Sequence, residues 1–285
     1  MEKNWKWATS GSSLITRSHD EIIEMCQAAG LAGIEGTVTL FDGSSTELEA
    51  LGGRYGDAGL QIQTFHLPYS ADLDLCSFYE TRRRRAVKAA RTWMERSARL
   101  GVTVGIQHPT SSPYDAEVDG VDLYMRQLGK SLGELLPAAA ELDFTIALEN
   151  LGPGAYGRRF GSRPQHFADI MREFNHPNLG FNLDTGHALI AGGFEEADEF
   201  HAVMAPRIAS YHLADNAGDR DSHLAPGHGL VDWDRVFRRA AEFGYAGNMC
   251  IETPPFAPGA NNSHGPEAWK QMVDDTEALA QRALS

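Results

Sequence analysis

Eight short apolar segments, each followed by a stretch of helical periodicity, run the length of this 285-residue chain. The strand segments are Asn4–Ser10, Leu31–Gly36, Leu60–His66, Val102–His108, Phe144–Glu149, Leu179–Asp184, Arg207–Leu213 and Tyr245–Glu252. The intervening helices are Ser18–Ala29, Ser44–Tyr55, Ser77–Leu100, Val121–Leu142, Arg163–Phe174, Phe194–Met204, Asp232–Phe243 and Pro266–Ala283. Ser18 and Asp232 supply N-caps, Ser112–Asp119 reads as a loop, and Pro137 predicts a kink or restart of the fourth helix. A helix after every strand returns the chain to the same end of the sheet, so the strands pair parallel. Eight such units predict one (β/α)8 TIM barrel, a single domain over residues 1–285. The 42% of hydrophobic residues is ample for its core.

Composition narrows the function classes. No apolar run approaches the ~20 residues of a membrane span, and the first residues lack a secretory leader's apolar stretch. Cys26, Cys76 and Cys250 are far apart and odd in number, which predicts reduced, buried thiols in a cytoplasmic protein. A net charge of −14 argues against a nucleic-acid partner. The basic run Arg82–Arg85 reads as a solvated helix face. A homo-oligomer is left open.

The chemistry gathers at the strand ends. Strands three to eight finish in His66, His108, Glu149, Asp184, His212 and Glu252, and in a barrel all these ends open on one face. His187 follows strand six by a few residues. Asp221 and His223 lie in the polar loop that continues strand seven through Ile208–Gly229. Taken alone, Asp184 reads as a helix cap and His66 or His108 as a hydrogen-bonded structural histidine. Taken together, carboxylates at the ends of buried strands are costly unless something neutralises them. A divalent metal ion (Mn, Mg, Co or Zn) bound by imidazole nitrogen and carboxylate oxygen is the economical explanation. His19, His166, His176, His201 and His264 read as surface residues, and His228 as a shaper of its loop.

Several of these pieces carry a resemblance. Leu148-Glu149-Asn150, Leu183-Asp184-Thr185-Gly186-His187, His212-Leu213-Ala214-Asp215-Asn216, Pro226-Gly227-His228-Gly229 with Asp232-Trp233, and Ile251-Glu252 resemble the xylose-isomerase-like barrels, from about Leu60 to Pro254. That family includes sugar isomerases and epimerases and an endonuclease IV branch. The resemblance implies that Glu149, Asp184, His212 and Glu252 ligate a catalytic divalent ion. Glu149 and Glu252 would serve as an acid–base pair, and His187, Arg220, His66 and His108 would meet the substrate. The activity implied is a metal-dependent isomerase or epimerase, or a related keto-sugar lyase or dehydratase, acting on a small sugar or polyol through an enediolate. The endonuclease IV branch gives the alternative, a multi-zinc phosphodiesterase. Its three zinc ions correspond to His66, His108, Glu149, Asp184, His187, His212, Asp221, His223 and Glu252. The Pro-Gly-x-Gly turn and Asp232-Trp233 resemble the sugar enzymes instead.

Overall fold

The computed structural model describes residues 5–255 and 265–285, so the expectations for Asn4 and His264 fall outside the described residues. Eight parallel strands pair in sequence order and the first closes on the last. They are β1 Trp7–Ser10, β2 Gly33–Thr37, β3 Gln61–His66, β4 Val104–Gln107, β5 Thr145–Glu149, β6 Leu179–Asp184, β7 Ile208–Leu213 and β8 Met249–Ile251. The helices are α1 His19–Ala29, α2 Ser45–Asp57, α3 Glu80–Ala98, α4 Ala116–Asp119, α5 Val121–Glu141, α6 Pro164–Glu173, α7 Thr185–Met204, α8 Trp233–Glu242 and α9 Pro266–Leu284. The (β/α)8 barrel is therefore present as predicted.

Local chemistry explains the element boundaries. Ser18 Oγ accepts the Glu21 N–H while Glu21 returns a bond to the Ser18 N–H, and Ser44 with Glu47 repeats the device at α2. Each such cap stabilises its helix by ~1 kcal/mol. β6 is buried along its whole length, with Phe181 and Leu183 packed into the core. Burial of one such side chain contributes ~2–3 kcal/mol. Gly33 has a structural reason: a Cβ there would lie 1.8 Å from the Gln61 carbonyl oxygen, so only glycine lets β2 approach β3. Between Ile34 and Glu35 the register of that pair then shifts.

Four local expectations are corrected. α5 runs unbroken through Pro137, which sits four residues from the end, where one missing N–H costs little of the helix. α7 consists of the expected helix from Phe194 to Met204 and, before it, an unexpected helical segment that Asp184 caps at Thr185; the backbone breaks between the two at Gly192 and Gly193, the latter with φ +81°. The loop before α5 ends in the short α4. Arg83 is buried rather than solvated, with ion pairs to Glu80 and Glu134 at 2.7 Å each and a bond to Ser131 Oγ. Arg82 pairs with Asp72 and Arg84 with Glu80, so most of this basic run is neutralised in place. Among the described residues no helix is long and apolar enough to cross a membrane. The three cysteines are free and buried.

Candidate metal and active site

β5 ends Ile146-Ala147-Leu148-Glu149, and its apolar residues draw the strand inward until Glu149 is only 1% exposed. Glu149 Oε1 lies 3.0 Å from His212 Nδ1 at the mouth of β7. Glu252, the first residue after β8, brings Oε2 to the same nitrogen at 3.0 Å. With Asp184 these side chains form a cluster whose ligand atoms all lie within 4.8 Å of one another. Asn150 clamps the ends of β5 and β6: it accepts the Asp184 N–H at 2.7 Å and donates to the Asp184 carbonyl at 2.9 Å.

Three carboxylates around one imidazole leave excess negative charge in a buried place. Burial, with the Glu252 and Glu149 charges added, pushes Asp184 up to about 7. Burial works against the charged form of His212, but Glu252, Glu35 and Glu149 overcome it and hold the imidazole well above its ordinary range. Asp184 Oδ2 is buried without a hydrogen-bond partner. A buried, unpartnered carboxylate oxygen is costly, and a divalent cation would neutralise it. The donor set thus fits a hard or borderline divalent ion.

Two further groups adjoin this cluster. His108 Nε2 and His66 Nε2 stand 3.2 and 3.6 Å from Glu149 Oε2, and the three form a second group within 4.8 Å. On the other side, Asp221 Oδ2 meets His187 Nε2 at 3.1 Å and His223 Nε2 at 3.2 Å. Backbone carbonyls orient both rings: His187 Nδ1 donates to Asn150 at 3.0 Å and His223 Nδ1 to Glu252 at 2.8 Å. Asp221 pushes His223 up to about 10. Burial opposes the Asp221 charge, yet the two imidazoles outweigh it and hold the carboxyl far below its ordinary range.

The nine ligand candidates are therefore brought together, but Arg220 is not. It is exposed, with no hydrogen bond or ion pair among the described residues. The half-buried cation on that side is Arg159, whose Nε donates to the Gly152 carbonyl at 2.8 Å. Burial lowers its pKa, while Glu149, Asp221 and Tyr69 act in the opposite sense. Tyr69 stacks on His108 with ring centres 3.8 Å apart, and its place three residues after His66 was the available sequence signal. Glu35, on β2, is fully buried against His212 and has no counterpart among the strand-end candidates.

Three other histidine expectations change. His166 and His201 are buried, not superficial. His166 Nδ1 accepts the Gly161 N–H at 3.0 Å, and His201 Nε2 bonds the Tyr211 hydroxyl at 2.6 Å. His228 is exposed, and its loop is shaped by Asp215 instead. The Asp215 carboxylate accepts from Trp233 Nε1 at 2.8 Å and from the N–H groups of Asn216, Gly227 and Val231. That hub explains why Pro226-Gly227-His228-Gly229 and Asp232-Trp233 occur together.

Comparison with known proteins agrees with this architecture. An uncharacterized protein of Methanocaldococcus jannaschii is 30% identical over 187 residues, 66% of this chain and 62% of its own. A ketose 3-epimerase of Arthrobacter globiformis is 27% identical over 159 residues, 54% of this chain and 50% of its own. The probable endonuclease 4 of Citrifermentans bemidjiense is 27% identical over 150 residues, 47% and 51% of the two chains. The matches thus span between half and two thirds of these relatives. The solved D-tagatose 3-epimerase-like protein superposes with a TM-score of 0.78 at 23% identity, covering 98% of this chain and 100% of that one. The family model for xylose isomerase-like TIM barrels matches residues 23–281, well beyond the segment that carries the motifs, and the chain belongs to that family.

Proposed function

We propose that this protein is a divalent-metal-dependent isomerase or epimerase of a small sugar or polyol, or a lyase or dehydratase sharing the same first step. The observation that carries this reading is that Glu149, at the end of β5, and Glu252, just after β8, reach the same His212 nitrogen at 3.0 Å. Glu149, Asp184, His212 and Glu252 would hold the ion, with manganese, magnesium, cobalt and zinc all suited to the donor set. When bound, such an ion supplies Lewis-acid polarisation of a substrate carbonyl and so acidifies the neighbouring C–H. One glutamate removes that proton and leaves an enediolate. The other returns a proton to the opposite face in an epimerase, or to the adjacent carbon in an isomerase. Loss of a β-oxygen substituent from the same enediolate gives the lyase outcome. His187 and Arg159 flank the carboxylates and would orient substrate oxygens, and Tyr69 offers its ring at the mouth. The substrate reaches a cytoplasmic enzyme in this reading, and no nucleic acid is engaged.

A second reading has its own observation. Glu149 spends both oxygens, one on His212 and one on His66 and His108, while His187 and His223 converge on Asp221. That pattern suits several ions and a phosphodiesterase using metal-activated water. The test is a solvent-deuterium exchange assay on a panel of ketoses, alongside elemental analysis of protein purified without chelator. Exchange at the carbon beside the carbonyl with about one ion per chain supports the sugar enzyme. Three ions and hydrolysis of phosphodiesters would replace it with the second reading.

A further inference from the structure

His212 has two ring nitrogens with different neighbours. Nδ1 faces Glu149 and Glu252, whereas Nε2 lies 3.0 Å from Glu35 Oε2 on β2, across the barrel. Glu35 and His212 are both 0% exposed. Thr64 Oγ1, on β3, donates to the same Oε2 at 2.7 Å and fixes where that oxygen stands. The other oxygen, Oε1, is buried without a hydrogen-bond partner. A carboxylate placed mid-barrel at that cost calls for a role, and it sits behind the imidazole rather than in the cluster.

We propose that Glu35 is a positioning residue: it takes the Nε2–H of His212, so that Nδ1, whose own proton a bound ion displaces, is the nitrogen left to an ion held with Glu149, Asp184 and Glu252. The proposal rests on the metal reading above. An imidazole can offer a lone pair at one nitrogen only when the other carries the proton, and a hydrogen bond to a carboxylate fixes which is which. The bond also fixes the ring plane and makes the ligating nitrogen a stronger donor. The register of β2 against β3 shifts beside Glu35, next to the strand that carries Thr64. Cys250 completes a group with Glu35 and His212 within 4.8 Å. At 3.0 Å, however, the nitrogen–oxygen separation is that of a direct hydrogen bond.

The test compares wild type with Glu35→Gln, Glu35→Ala and Cys250→Ala by competition for manganese and zinc against a chelating dye. Glu35→Gln should weaken the ion by about tenfold and Glu35→Ala by between ~10- and ~100-fold, with stoichiometry at saturation unchanged. Cys250→Ala should leave affinity within twofold. Glu35→Gln is near-isosteric and carries the test if Glu35→Ala does not fold. In the zinc-loaded protein, the exchange-protected His212 Nε2–H resonance should shift or vanish in both Glu35 variants. A merely structural role would lower the metal-free and metal-loaded melting temperatures equally; the positioning role reduces the gap between them. Unchanged affinity with an unmoved Nε2–H signal overturns the proposal. So does an equal loss in Cys250→Ala, which would mean an ion among Glu35, His212 and Cys250. A wild type that binds no divalent ion would fail the metal reading itself, and this role with it.

Discussion

Asp184 Oδ1 accepts the backbone N–H of His187 at 2.6 Å, and the same oxygen stands 3.6 Å from Nδ1 of the His187 ring. Helix cap and cluster member are therefore one residue, with the capping oxygen turned to α7 and Oδ2 left unpartnered. The dipole of α7 adds to this, since its positive end favours a carboxylate at that position. Two explanations that compete in the sequence coexist in the fold.

Replacement of Glu149 or Glu252 by Gln should lower kcat by at least ~10²-fold, the lower end of what a positioned acid or base supplies. Each change removes a ligand charge and a proton acceptor together. Deuterium exchange into substrate checks the outcome independently of net turnover. Near wild-type exchange in either variant with the metal still bound would end the acid–base assignment.

The outer histidines separate one ion from three. If the central cluster alone holds metal, His66→Ala, His108→Ala and His223→Ala should each raise KM or lower kcat while metal content stays at about one ion per chain. In a three-ion enzyme each change should drop the content by about one. Elemental analysis of the three variants beside wild type distinguishes the cases, and stepwise loss sinks the one-ion model.

Nucleic acid should not bind. The net charge is −14, and Arg82, Arg83 and Arg84 are already paired with Asp72, Glu80 and Glu134. Titration of a labelled abasic duplex at physiological salt should give no saturable binding and no incision. Sub-micromolar affinity or strand cleavage would overturn the sugar-enzyme reading.

His201 predicts an acid limb to stability. Burial pushes its pKa down to about 4 from an ordinary 6.5. Below pH 6.5 the unfolded chain takes up a proton that the folded imidazole refuses until about pH 4, so stability present above 6.5 is lost as pH falls through that window. His201→Gln keeps a partner for Tyr211 and removes the titration. It should be less stable than wild type at pH 7.5, but the difference should shrink by up to about 2 kcal/mol at pH 5 in urea unfolding. An undiminished difference would exclude His201 as the source.

The barrel was legible because its strands are apolar runs with polar ends: β6 has its predicted bounds, and Glu149, Asp184 and His212 stand where their strands deliver them. Glu35 escaped because β2 reads Gly-Ile-Glu-Gly-Thr, a strand with too few apolar residues to mark an inward face. Its contact with His212 spans 177 positions of sequence. The first segment of α7 was missed because Gly186, Gly192 and Gly193 read as a loop, although Asp184 was legible as a helix cap. His201 looked superficial on a helix, yet it shares the inner face with Phe200 and Met204. Arg159 could be placed only once the loop after β5 was folded back, since the bond that holds it is to a backbone carbonyl.

Glu149 divides its two oxygens between His212 on one side and His66 and His108 on the other. Substitutions on the two sides should therefore combine non-additively, because each alters the electron density and angle of a carboxylate the other side also uses.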